Sequence, residues 1–391
     1  MIRTFRYPLK ATKRQLAVID AWRLQCCDLY NAALEQRRTA WRSRRVGVTR
    51  YDQNVGLTEL RAADPEWHAL PVHIARSALA RLDHTFAAFF RRVKAGDTPG
   101  YPRFRSKDRY DSFGIGRVTV QQGRVRVPVL GWVRFHCYRP FTGVVRDVEI
   151  RRTAKRWWVC VSCDVGAAPA KRVVRTTTGI DLGLTAFATL ADGTAIENPR
   201  YLRAGAAVLA RRQQALAKKS RGSRRRQAAK RLVGLAHAHV ANQRRDFHRK
   251  VAADLCRRYD LIAHEALNVK GLAAGMLAKS VRDAGWGQFL TTLGHKAESA
   301  GVHLVAVDPR LTTQQCADCG DIVRKGLGDR IHTCACGAVR GRDHNAALNI
   351  VARGRRALDL VEQSPYRDTA RKKDPVANRT RDGALVRPDE V

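Results

Sequence analysis

Three acidic side chains sit where an acid is costly to place. Asp181 follows Thr178-Gly179-Ile180 inside an apolar run, Glu265 follows Leu261-Ile262-Ala263-His264, and Asp343 opens the segment GRDHNAALNI. A buried, unpaired carboxylate is unfavourable, so an acid in such a run needs a partner or a cation. Taken singly, each has a plain structural reading: a helix N-cap for Asp343, a turn or strand-edge acid for the other two. Asp308 ends HLVAVD and is a fourth candidate, but Pro309 directly after it favours a strand terminus or turn. Together, the acids suit two divalent cations about 4 Å apart, one helping to deprotonate water and the other stabilising a leaving oxygen of a phosphodiester. Hard oxygen ligands and retained waters favour Mg²⁺, with Mn²⁺ as a substitute.

A second constellation is sulfur. Cys316-Ala-Asp-Cys319 is followed after fourteen residues by Cys334-Ala-Cys336, with Gly320 and Gly337 directly after each pair. Glycine there lets the backbone turn so that amides reach the thiolates. Four thiolates suit tetrahedral Zn²⁺ in a closed, structural site. The other six cysteines (Cys26, Cys27, Cys137, Cys160, Cys163 and Cys256) are scattered. Bunching without a secretion signal argues for metal over disulfides and for a reducing cytoplasm.

The charge balance points to the substrate class. Lys+Arg number 73 against Asp+Glu 35, a net +38 over 391 residues, which is the footprint of a polyanion-binding protein. Residues 211–231 carry ten basic side chains and no acid. A solvated helix face is the plain reading, yet such a run repels itself unless a phosphate backbone relieves it and releases counterions. The expected nucleic-acid contacts are Arg211, Arg212, Lys218, Lys219, Arg224, Arg225, Arg226, Lys230 and Arg231, then Arg244 and Arg245 on the following helix. No long apolar stretch and no N-terminal signal segment favours a membrane.

These groups need elements to hold them. Residues 1–10 read as a strand and about 12–90 as helices, with Leu16, Ile19, Trp22 and Leu29 and then Ile74, Leu79, Leu82 and Phe86 at helical spacing. From Phe113 to Val165 the period is two, with Gly123, Gly131 and Gly143 as turns and Arg largely outward: a small antiparallel sheet or barrel. Residues 166–178 read as a linker. A mixed α/β unit follows, with a strand pair from Gly179, two long helices over 201–260, strands at 259–267 and 301–309, an amphipathic helix over 285–300 and a closing helix from Asp343. The tail from Ser364 is polar and charged and reads as disordered.

An acid on the first strand of a glycine-flanked hairpin, one on a later strand and one on a closing helix match the ribonuclease H-like layout. The ordered segments GIDLGLTAFATLADG, YDLIAHEALNVKGL, DAGWGQFL, DPRLTTQQCADCG and CACGAVRGRDHNAALNI resemble the TnpB family, as do PGYPRFRSK and VLGWVRF upstream. TnpB proteins are RuvC-type nucleases of bacterial insertion sequences, related to type V CRISPR effectors. The resemblance implies a multidomain α/β protein. Residues 1–10 and 106–175 would form a wedge β-barrel, and 11–105 a helical recognition domain inserted in it. Residues 176–310 and 343–360 would form a RuvC nuclease core, 311–342 an inserted zinc ribbon that binds target nucleic acid, and 361–391 a disordered tail. It implies a DNA endonuclease that carries one transposon-end-derived guide RNA per protein and cuts double-stranded DNA beside a short adjacent motif. The catalytic and Mg²⁺-holding acids carried over are Asp181, Glu265 and Asp343, and the zinc ligands are Cys316, Cys319, Cys334 and Cys336. Two departures stand out: Gly341-Arg342-Asp343 replaces the usual Asp-Arg-Asp, and Cys334-x-Cys336 is shorter than the usual pair.

Three other functions compete. A compact type V CRISPR effector would share these motifs and differ in gene context. A guide-dependent DNA-binding repressor would be expected to lack at least one acid. A transposase that joins DNA ends would carry the same kind of nuclease centre.

Overall fold

A computed structural model describes residues 1–363 apart from Arg117, Lys155 and Leu327. The expected tail therefore lies, from Ser364 on, outside the described residues. The chain divides into two compact units, one of Met1–Ala168 with Arg211–Ala238, the other of Pro169–Ala210 with the chain from His239.

In the first unit, β1 (Ile2–Lys10) leads into α1 (Lys13–Arg44). Thr12 Oγ1 accepts from Gln15 N–H while Gln15 Oε1 accepts from Thr12 N–H, a reciprocal cap that fixes where the helix starts. α2 (Arg50–Ala63) starts the same way with Thr49 and Asp52. α3 (Pro65–Ala69) has proline at its first position, and α4 (Val72–Lys94) buries Ile74, Ala75, Ala78, Leu79, Leu82 and Phe86 as one stripe. Six strands follow: β2 (Ser112–Gly116), β3 (Val120–Gln121), β4 (Arg124–Val127), β5 (Gly131–Phe135), β6 (Val144–Arg152) and β7 (Trp157–Asp164). With β1 they form one antiparallel sheet in the order β2-β6-β7-β1-β5-β4-β3. The two-residue alternation is plain in β4, where Val125 and Val127 are buried and Arg124 and Arg126 exposed. Tyr7, Phe113 and Val159 from strands share a core with Leu34, Leu79 and Leu82 from helices. Among the described residues this sheet is not closed into the expected barrel: β2 and β3 stand at its two edges.

The second unit opens with β8 (Thr177–Leu182), β9 (Ala186–Leu190) and β10 (Ala195–Glu197). Gly193, at a φ of 82°, turns the chain between the last two. α5 (Tyr201–Ala204), α6 (Ala206–Ala217) and α7 (Arg224–Arg258) follow, then β11 (Leu261–Glu265), α8 (Val269–Leu272), α9 (Ala278–Ala284), α10 (Trp286–Ala300) and β12 (His303–Val307). The small hairpin β13 (Ile331–Thr333) and β14 (Val339–Gly341) precedes α11 (Arg342–Gln363). Residues 211–238, spanning the end of α6 and the start of α7, belong to the first unit.

The sheet order is β10-β9-β8-β11-β12, with β8–β9 and β9–β10 antiparallel and β8–β11 and β11–β12 parallel. Ile180, Leu182 and Phe187 pack with Leu255, Phe289 and Leu293 from α7 and α10, while Ala263 and Val307 pack with Ile350 of α11. The unit is thus a mixed α/β layer structure. The stretch expected as a linker is tied down: Lys171 donates to Val302 O at 2.8 Å and Arg172 to Ala300 O at 2.9 Å, and Thr177 and Thr178 belong to β8. Both basic side chains reach carbonyls around the α10–β12 turn. α11 runs to Gln363, three residues into the segment expected as tail.

Candidate metal centre

The parallel register of β8 and β11 pairs Ile180 with His264, so the next residues, Asp181 and Glu265, stand side by side at the C-terminal ends of adjacent strands. Crevices at such strand ends are where open α/β sheets bind ligands. Each of the two acids is only 9% exposed. Asp343 reaches the same place from the first turn of α11, where unpaired helical N–H groups favour a negative charge. Its Oδ2 lies 4.0 Å from where a Cβ on Gly183 would stand. Burial first, then the charges of Glu265 and Asp343, push Asp181 up to about 8, against a smaller opposing pull from Arg342. Burial also raises Glu265, offset by a hydrogen bond from Thr312 and the charge of Arg353. Three acids crowd one region with too little positive charge to balance them. Asp308 is exposed and accepts from Arg310 N–H at 2.9 Å, the turn role that its proline neighbour favours.

One residue that meets the acids, Thr312, carries no signal in the linear sequence. Thr312 Oγ1 lies 2.5 Å from Glu265 Oε1 and is 2% exposed. Asn349 Nδ2 donates to Thr312 O at 2.9 Å and to Gln315 O at 2.6 Å, and Asn345 Nδ2 donates to Gln315 O at 2.7 Å. Two asparagines one helical turn apart therefore clamp the segment that presents Thr312. Their spacing in DHNAALN was the available clue.

The four cysteines converge. Their sulfurs all lie within 4.8 Å of one another, with Cys316–Cys336 at 3.7 Å and Cys319–Cys334 at 3.5 Å. Tetrahedral zinc with bonds of about 2.3 Å sets sulfurs roughly 3.8 Å apart, so the cage has the size for that ion. Gly320 and Gly337 take φ of 86° and 91°, the left-handed turns expected after each pair. The short pair is accommodated because Cys334 N–H donates to Ala338 O and Gly337 N–H to Cys334 O, closing a tight loop around Cys336. Backbone N–H groups of Cys319 and Asp318, with the side chain of His332, pull the Cys316 thiol down to about 6.

The basic residues split into two sets. Arg211, Lys218, Lys219, Arg224, Arg225 and Arg231 are exposed, and their side chains have no ion-pair or hydrogen-bond partner among the described residues. Others make internal contacts. Arg212 donates to Leu232 O at 2.8 Å, Arg226 to Leu216 O at 3.1 Å and Lys219 O at 2.8 Å, and Lys230 pairs with Asp108. Arg244 donates to Arg282 O at 3.0 Å and so caps the end of α9, and Arg245 donates to Asn242 Oδ1 at 3.3 Å.

Comparison with known proteins places this architecture. The family described as "Probable transposase" matches residues 159–275, and the one described as "Cas12f1-like, TNB domain" matches 286–350. A protein of Streptomyces pristinaespiralis named as an RNA-guided DNA endonuclease is 31% identical over 94% of this chain and 97% of its own. Another, named InsQ with the same activity, from Escherichia coli K12, is 26% identical over 92% and 94%. In three dimensions the chain is similar to the mini-RNA-guided endonuclease CRISPR-Cas_phi3, with a TM-score of 0.51 and 9% identity over 90% of this chain and 92% of that one, a likeness of fold. Shorter matches of 33% identity over 141 residues are to TnpB-like proteins of Acanthamoeba polyphaga mimivirus. The chain belongs to the family of these RNA-guided DNA endonucleases, the TnpB family.

Proposed function

We propose that the protein is an RNA-guided DNA endonuclease that hydrolyses target DNA at a centre formed by Asp181, Glu265 and Asp343. The observation that carries this reading is the crowding of three acids from β8, β11 and α11 at one strand edge, with Asp181 pushed up to about 8. The sheet order and strand directions are those of a ribonuclease H-like RuvC core, which supports the same reading. Carboxylate oxygens suit Mg²⁺ or Mn²⁺, and two such ions supply the water activation and leaving-group stabilisation of phosphodiester hydrolysis. The chain's own part is positional. β8 and β11 fix two acids in register, α11 aims the third, and Thr312 orients Glu265.

The four cysteines hold a structural Zn²⁺ in this reading, and the exposed set on α6 and α7 meets nucleic-acid phosphates. The guide derives from a transposon end and one protein serves one guide, with double-stranded DNA as target. In this reading the protein works beside DNA in the bacterial cytoplasm; among the described residues no helix is long and apolar enough to cross a membrane. A compact type V CRISPR effector is the second reading, favoured by the match over 286–350 and the fold likeness. Relatives that align along nearly the whole chain favour TnpB. All three acids are present, which disfavours a binding-only repressor.

Sequencing the RNA that co-purifies from cells carrying the native locus tests the proposal. RNA ending in the element's own terminus is expected; CRISPR repeats would favour the second reading, and no enriched RNA would contradict both.

Two further outcomes follow from the contacts. Thr312→Val keeps the side-chain shape and removes the hydrogen bond to Glu265. A hydrogen bond to a charged group is worth about 1.5–3 kcal/mol, so cleavage should fall roughly tenfold to a hundredfold with guide binding unchanged. Equal cleavage rates for wild type and variant would remove Thr312 from the centre. Changing Arg211, Arg224 and Arg225 to Gln should flatten the salt dependence of nucleic-acid affinity by about 0.7–0.9 in slope for each phosphate left without its cation. Arg226→Gln should instead lower stability with little change in slope, because Arg226 is held by Leu216 O and Lys219 O. An unaltered slope in the triple variant would mean that those charges face solvent only.

A further inference from the structure

One buried polar side chain, His332, stands two residues before Cys334. β13 alternates Ile331 outward, His332 inward and Thr333 outward, and His332 is 0% exposed. An inward position in so small a hairpin ordinarily takes an apolar residue, so imidazole there needs a polar reason. Among the described residues the surrounding core is Cys316, Cys334, Ala338 and Val323. A core of that size does not hold a fold without a staple such as a metal.

The hydrogen bonding supplies the reason. Lys325 Nζ meets His332 Nδ1 and also donates to Thr313 O at 3.0 Å. An ammonium donates and cannot accept, so Nδ1 is the accepting nitrogen and the ring proton lies on Nε2. His332 Nε2 is buried and has no hydrogen-bond partner among the described residues. The ring lies beside the Cys316 side chain. A metal-bound thiolate is the acceptor that such a donor lacks.

We propose that His332, its tautomer fixed by Lys325, is a positioning residue of the cysteine site, its Nε2–H supporting the Cys316 thiolate when the four sulfurs hold zinc. The ammonium, the imidazole and the sulfur then form one relay of hydrogen bonds. Support of this kind around a metal typically changes affinity by about 10–100-fold when removed. The inference rests on the reading of the four cysteines as a zinc site.

The test uses the full-length protein with its co-purified RNA and four forms of it: wild type, His332→Phe, His332→Gln and Lys325→Met. Phe fills the space with no donor, whereas Gln places an amide N–H near the Nε2 position. Zinc release to a chromophoric chelator is measured, together with the sulfur-to-cobalt charge-transfer band of the Co²⁺-loaded protein. His332→Phe is expected to release zinc about 10–100-fold faster and to move the band to lower energy, because an unsupported thiolate is more electron-rich. His332→Gln should stay within about threefold of wild type, and Lys325→Met should move in the direction of Phe. If His332→Phe does not fold, the Gln and Met variants decide. Wild-type band and release in Lys325→Met would then overturn the proposal, as would equal behaviour of Phe and Gln where both fold. The wild type separates the two levels of the claim: one zinc per chain with unresponsive variants overturns the role of His332 alone, and absence of zinc overturns the four-cysteine reading itself.

Discussion

Asp181→Asn is expected to abolish cleavage and, in protein stripped of divalent cation, to raise thermal stability at pH 8. The first effect follows from removing a central ligand of the proposed centre. Metal stabilisation of transition-state charge is worth several kcal/mol, so the rate should fall by at least about a thousandfold. The second follows from the cost of the carboxylate itself. Asp181 is raised from an ordinary 3.8 to about 8 in the folded chain, by burial first and by Glu265 and Asp343 next. The folded state therefore binds this proton more tightly than the unfolded state. Stability linked to it is complete below about pH 4 and is lost as pH rises through about 8, a change on the order of several kcal/mol. Asparagine carries no such proton, so the gain should appear at pH 8 and vanish at pH 4. Millimolar Mg²⁺ should narrow the pH 8 difference by stabilising the wild type alone. Thermal denaturation in chelator at the two pH values reads this directly. A variant less stable than wild type at pH 8 would show that the carboxylate is balanced by something other than a cation.

Gly179→Ala should cost both stability and cleavage, although the change adds one methyl group away from any reacting atom. A Cβ at Gly179 would stand 2.1 Å from Ala347 O and 2.7 Å from Val351 N, both backbone atoms of α11. Ordinary contact needs roughly 3.5–4 Å, so the helix must move by more than an ångström. Asp343 stands in the first turn of that helix, and Asn345 and Asn349 on it hold the Thr312 segment. A displacement of 1 Å at a reacting centre can cost about a hundredfold in rate, and overpacking costs about 1–3 kcal/mol. The same approach is seen at Gly354, where a Cβ would lie 2.4 Å from Ala263 Cβ. Gly47→Ala is the control, because no atom lies within 4 Å of its Cβ position. Melting temperature and cleavage rate are the readouts. Equal values for Gly179→Ala and Gly47→Ala would mean that α11 does not depend on this contact.

The parts of this structure legible in the sequence are those set by local chemistry. The strand at the N-terminus, the helical stripe of α4 and the alternation of β4 follow from side-chain period alone. The acids and cysteines stand out because polar or reactive groups in apolar or tightly spaced surroundings need a reason. Partners distant in the chain are not visible in that way. Thr312 reads as an ordinary loop residue until β11 brings Glu265 to it, 47 positions away. Gly179 and Gly354 look like weak points in a strand and a helix, and only the helix lying on the sheet explains them. The basic run hides a division of the same kind. Arg212, Arg226, Lys230 and Arg244 share composition with their exposed neighbours, yet they meet carbonyls or an acid within the fold. That β2 and β3 stand at the edges of the N-terminal sheet could not be read from alternation, which fixes the face of a side chain and not the partner of a strand.

The central claim is that Asp181, Glu265 and Asp343 act as one cation-dependent centre for DNA cleavage directed by RNA. The most direct test is cleavage of a DNA duplex matched to the co-purified RNA, in Mg²⁺, by the wild type and by Asp181→Asn, Glu265→Gln and Asp343→Asn side by side. The wild type should cut, and each variant should bind RNA and target equally well while cutting at least about a thousandfold more slowly. Wild-type cleavage by any one of the three variants would contradict the claim.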